Sequence, residues 1–255
     1  MDSHYLDCLE PDTRNLVADI EHSGGVEIEV TVDPSRALGK SGRAVPLACQ
    51  VENGNARILT PRADYFPDAS VVHELLHIQR FLSLGVPRIL VAETFKGWTP
   101  ELDNAMTNLD NSLEHLVIVP EELRRRPNRI AHWDQVMQRT LGEIPAAPFS
   151  QSDRDGLALM NYVFVAHVMP RGSLHEKARR LVEGLGLVDR ASRFKAMLIP
   201  ALGSKENAVA QCFEHLQLPV EMASLEYLES GQRTRGEEKP LRQIIRGLAL
   251  PSNGD

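Results

Sequence analysis

Cysteine is scarce: Cys8, Cys49 and Cys212 are the three in 255 residues. Their number is odd, they lie far apart, and no C-x-x-C pair occurs. This argues against a disulfide framework and a cysteine-based zinc site, and free thiols suit a reducing, cytoplasmic setting. No run of about 18 apolar residues occurs, so no membrane span is expected. The opening Met1-Asp2-Ser3-His4-Tyr5 lacks the apolar segment of a secretory signal. Positive charge is in deficit, with 28 Lys and Arg against 35 Asp and Glu and a net charge of −7, which argues against nucleic acid as a general partner. The short basic run Arg124-Arg125-Arg126 reads as a solvated helix end. Gly39-Lys40-Ser41 has the end of a phosphate loop without the upstream glycine such a loop requires. There is no internal repeat and no sustained heptad.

One stretch does carry chemistry. Val71-Val72-His73-Glu74-Leu75-Leu76-His77-Ile78 contains H-E-x-x-H in an apolar, helix-compatible run. Residues four apart share one helix face, so His73 and His77 can direct two imidazoles at one ion. Glu74 is close enough to act as general base on a water at that ion. Pro67 and Asp68 suit a helix start, and Gly85 followed by Val86-Pro87 suits a stop, predicting a helix from about Asp68 to Leu84.

Around this helix the pattern changes along the chain. Asp12 to Glu21 reads as a helix. Val26 to Val32 alternates apolar and polar, the period of a half-buried strand. Residues 45–52 and 56–60 flank Asn53-Gly54, a strong hairpin signal. Arg57-Ile58-Leu59-Thr60 could be an edge strand able to accept an extended peptide, or part of a small sheet that only covers the helix. Thr99-Pro100 opens a helix over about 100–117, with Leu102, Met106, Leu109, Leu113 and Leu116 at helical spacing, and Val119-Pro120 closes it. Further helices are expected at 120–126, 129–141, 152–168, 173–184, 189–199, 204–216, 219–230 and 240–247, with Ser173 and Glu176 as a capping box. The fold expected is α+β. A small sheet packs on the H-E-x-x-H helix and a mainly helical half follows. We read 1–255 as one domain, with 26–117 as metal-site core and 118–250 as the helical part.

A catalytic zinc needs three protein ligands and an open position. H-E-x-x-H-x-x-G-x-x-H fails, since Arg80 and Ser83 stand where Gly and His would be. The third ligand should come from a later helix. Glu114 is the expected one, within the polar group Asp110-Asn111-Ser112 and His115, and His115 is the alternative. Asp110, one turn earlier, could orient a histidine. Tyr162, His167 and His175 are candidate oxyanion donors, each with a stronger structural reading, and none is assigned the role. His132 and Trp133 could line a cleft or simply pack. His4, His22 and His215 are expected to face solvent.

His73-Glu74-Leu75-Leu76-His77 together with Glu114 resembles the zincin metallopeptidases of the glutamate-ligand type, the gluzincins. The likeness spans about 26–117. It departs from their best-known pattern at Leu113 and Ile118, where Asn and Asp would stand. The resemblance implies Zn2+ held by His73, His77 and Glu114, Glu74 as catalytic base, and hydrolysis of peptide bonds in an intracellular protein or peptide. The competing expectation is a zincin-like binding or regulatory protein whose metal is structural or absent. A base beside the first ligand favours the enzyme.

Overall fold

A computed structural model describes residues 1–36, 47–52, 55–228 and 237–248. It is a mixed α+β structure. The chain divides into two compact units: residues 1–88 with 226–238, and residues 89–225 with 239–255.

The first unit begins with a short helix α1 (Ser3–Leu6) and helix α2 (Pro11–Gly24). Leu16, Val17 and Ile20 form the buried stripe of α2, and Gly25 at φ 62° ends it in the left-handed conformation that favours glycine. Strands β1 (Ile28–Val32), β2 (Ala48–Glu52) and β3 (Asn55–Thr60) form a sheet of order β1-β3-β2. β1 runs parallel to β3, with Ile28 opposite Ala56, and β2 runs antiparallel to it, with Cys49 opposite Ile58. The antiparallel pair expected around Asn53-Gly54 is present, while those two residues lie outside the described ones, as does Gly39-Lys40-Ser41. Arg57–Thr60 is not an edge. It belongs to the central strand, because β1 takes the side of β3 that an outer strand would leave open. The outer strand nearest the motif helix is β2.

Helix α3 (Asp68–Ile78) packs on β2, β3 and α2. Pro67 precedes it in extended conformation, and the Asp68 carboxylate accepts the Glu10 N–H at 2.9 Å. Val71, Val72, Leu75, Leu76 and Ile78 are buried with Ile20, Ile28 and Ile58. The expected continuation to Leu84 is present but changes hydrogen-bond period. Gln79–Ser83 is one π turn, closed by Leu84 N–H to the Gln79 carbonyl at 3.0 Å. Such turns insert an extra residue and re-aim side chains. Here Phe81 lies 6.3 Å from the His77 ring at an interplanar angle of 21°.

The chain continues through β4 (Arg88–Val91), then the long helix α4 (Pro100–Arg125). Thr99 caps α4 by accepting the Leu102 N–H at 3.1 Å, as its sequence predicts. Pro120 does not end it. A proline inside a helix removes one hydrogen bond and costs about 3 kcal/mol. Ile118, Val119 and Glu122 are at most 2% exposed, and their burial offsets that cost. The separate 120–126 helix is therefore the last part of α4. Arg124 and Arg125 pair with Glu121, but Arg126 is buried, so the basic run is only partly solvated.

The second unit is built on helices α5 (Ile130–Glu143), α6 (Gln151–Val168), α7 (Ser173–Gly184), α8 (Val188–Ala201) and α9 (Lys205–Leu216). Leu159, Val163, Phe194, Leu198, Val209 and Phe213 form its core. The Ser173–Glu176 capping box is not formed. Gly172, at φ 92°, occupies the cap position instead. His215 is half-buried and stacks on Phe194 at 4.6 Å and 6°, and burial lowers its pKa. The helix expected at 219–230 is instead strand β5 (Ala223–Tyr227), followed by β6 (Glu237–Pro240) and helix α10 (Leu241–Gly247). The strand order is β4-β5-β6. β5 gains ladder partners on both sides, and that tertiary pairing overrides local helix preference. No helix among the described residues is long and apolar enough to cross a membrane.

Candidate metal centre

Helix α3 delivers the two histidines as its spacing requires. The His73 and His77 rings lie 5.0 Å apart at 80°. His77 is buried and His73 half-buried. Glu74, 6% exposed, is one step round the helix, and its Oε2 accepts the Cys49 N–H of β2 at 2.8 Å. Burial, then the charge and hydrogen bond of Glu74, push the Cys49 thiol well above the usual thiol range.

Cys49 and Val51 are two residues apart on β2, so their main-chain groups face the same edge. The Val51 carbonyl accepts Arg88 Nη1 at 2.9 Å. Arg88 also pairs with Glu226 Oε2 at 2.5 Å and lies 5.9 Å from the Phe81 ring. Glu74 and Arg88 thus occupy two main-chain groups of this edge.

His115 is on α4, its ring edge-on to Trp133 at 5.2 Å. Trp133, on α5, is 6% exposed and donates Nε1–H to Glu122 Oε2 at 3.0 Å. Arg129 donates to the other oxygen of Glu122 at 2.6 Å. Trp133 is therefore a packed residue, while His132 beside it is exposed.

His73 and His77, on one face of α3 in the first unit, could hold a metal ion between them. Glu114 and His115, the two expected third ligands, both lie on α4. Glu114, 1% exposed, binds Lys205 Nζ at 2.6 Å, and Asp110 binds the same ammonium at 2.7 Å. Adjacent residues point about 100° apart, so the face that sends Glu114 to Lys205 sends His115 elsewhere. Asp110 does not orient a histidine; besides Lys205 it accepts the Ile89 N–H at 3.1 Å. Tyr162 and His175 lie with their rings 6.4 Å apart.

Lys205 is the buried ion-pair partner that periodicity missed. A signal existed: it opens helix α9, where a cation opposes the helix dipole and needs a nearby acid. Imidazoles suit a divalent transition ion such as zinc, whereas calcium and magnesium prefer oxygen donors.

Burial raises the Asp110 pKa above its ordinary 3.8, more than Lys205 lowers it. The folded chain then binds this proton more tightly than the unfolded chain, so stability falls as pH rises above that ordinary value. Asp110→Asn is expected to flatten this slope. Urea unfolding at pH 4.5 and 7 measures it, and an unchanged slope would contradict the assignment.

Comparison with known proteins gives no match to a family model, to a curated protein or to a solved structure.

Proposed function

We propose that this chain is a metal-dependent hydrolase of peptide bonds, with His73 and His77 as ligands of a divalent ion, zinc being the best fit, and Glu74 as base. What carries the reading is the position of Glu74. A buried carboxylate stands between two histidines of one helix and is held by the Cys49 N–H. A purely structural metal site has no use for a base there.

Zinc bound by these imidazoles would polarise a water and the scissile carbonyl. Glu74 accepts the proton of the attacking water and returns it to the leaving amine. The Cys49 N–H fixes one carboxylate oxygen and thereby the direction of the other. Phe81, stacked beside His77, limits the ring's rotation. An extended peptide would align along β2, the outer strand beside the motif helix, and compete with Arg88 for the Val51 carbonyl.

The test is to expose a library of peptides from digested cell protein to the wild-type chain and to Glu74→Gln, each with and without a zinc chelator. New termini are expected from the zinc-loaded wild type alone. Equal cleavage by Glu74→Gln, or cleavage that survives chelation, would end the reading.

A further inference from the structure

We propose that Arg88 is a specificity-determining residue that makes the open edge of β2 selective for extended peptides carrying an acidic side chain. The proposal rests on the reading of that edge as the substrate's place. Arg88 Nη1 donates to the Val51 carbonyl at 2.9 Å. Its Nε and Nη2 both donate to Glu226 Oε2, at 3.2 and 2.5 Å. The guanidinium also lies 5.9 Å from the Phe81 ring. The Arg88 side chain is 25% exposed and that of Glu226 6%. Val51, Phe81, Arg88 and Glu226 all belong to the first compact unit.

The donors of Arg88 are not equivalent. Nε and Nη2 neutralise a buried carboxylate, and breaking that pair would strand its charge. Nη1 is the separable one, since it satisfies a strand-edge carbonyl that a second strand could equally satisfy. A peptide that adds to β2 brings its own N–H to the Val51 carbonyl. That N–H displaces Nη1 alone, and the fork on Glu226 stays. A guanidinium has donors and no acceptor, so the displaced Nη1 needs a new acceptor in a largely shielded place. Apolar and lysine side chains supply none. A Glu or Asp side chain does, and a carboxylate accepts from a guanidinium more strongly than a neutral amide. Glu226 already shares the charge of Arg88, which holds the preference to about tenfold. The substrate class is therefore an extended peptide with an acid at or next to the residue that pairs with Val51.

The experiment uses labelled short peptides of Thr and Ala in which Glu, Gln or Lys is scanned through each position. Binding to the full zinc-loaded chain is read by fluorescence anisotropy, and kcat and KM are measured for every peptide that is cut. One position is expected at which Glu binds about tenfold more tightly than Gln, with Lys weaker still, the difference lying in KM and not in kcat. Arg88→Lys keeps a charge on Glu226 but has no planar fork to reach Val51 as well. In it the Gln peptide is expected to bind about tenfold more tightly than to the wild type, and the Glu preference to fall below about twofold. No Glu preference in the wild type, absent binding included, or an undiminished preference in a folded Arg88→Lys, overturns the proposal. If Arg88→Lys does not fold, Glu226→Gln decides. It frees the charge of Arg88 and is expected to raise the Glu preference severalfold, and an unchanged preference overturns the proposal. Peptides bound with this preference but never cut would overturn the hydrolase reading and leave this one standing. Peptides cut without it would do the reverse.

Discussion

Glu74→Gln is expected to cut hydrolysis about 10²–10⁴-fold while leaving the metal in place. The amide is nearly isosteric and its oxygen can still accept the Cys49 N–H, so the packing of β2 on α3 is preserved. What is lost is the capacity to take a proton from water. Neither histidine is touched, and zinc content should equal that of the wild type. The measurement is a turnover rate on one cleaved peptide, paired with metal content and unfolding temperature. A variant retaining a tenth or more of the rate would mean that Glu74 is not the base. A variant that loses zinc would mean that Glu74 supports the ligands rather than the chemistry.

Glu122→Ala has the largest effect expected on stability, about 3 kcal/mol. Glu122 is fully buried, and its two oxygens accept Arg129 Nε at 2.6 Å and Trp133 Nε1 at 3.0 Å. Truncation strands a guanidinium that is only 16% exposed and an indole N–H in the interior. Trp133 packs against both His115 and Phe164, so its emission should shift to the red in the folded variant as its surroundings loosen. Glu121→Ala, one residue earlier, is the control. Its partners are Arg124 and Arg125 at the surface, and its loss should cost less than about 1 kcal/mol. Urea unfolding compares the two. Equal costs would contradict the burial argument.

Local periodicity revealed a good deal of this molecule. The start of α3 at Asp68, the alternation of β1 and the full span of α7 follow from apolar spacing, caps and breakers that lie within the elements themselves. The features that escaped depend on partners far along the chain. β5 resembles a helix until it gains strands on both sides. α4 passes through Pro120 because Val119 and Glu122 are buried, and neither burial is visible in the local sequence. The π turn after Ile78 leaves the apolar pattern of α3 almost unchanged while shifting its register. The candidate site divides in the same way. His73, Glu74 and His77 lie within five residues, and helix geometry alone brings them together. Glu114 pairs with Lys205, 91 residues away in the chain, and no local signal marks that partner.

The central claim is that His73 and His77 hold a metal ion beside Glu74. Zinc content per chain, measured by elemental analysis after saturation and removal of excess ion, tests it most directly in the wild type, His73→Ala and His77→Ala. One equivalent in the wild type, with little or none in either variant, is the predicted result. A wild type without zinc, or full zinc in both variants, would contradict it.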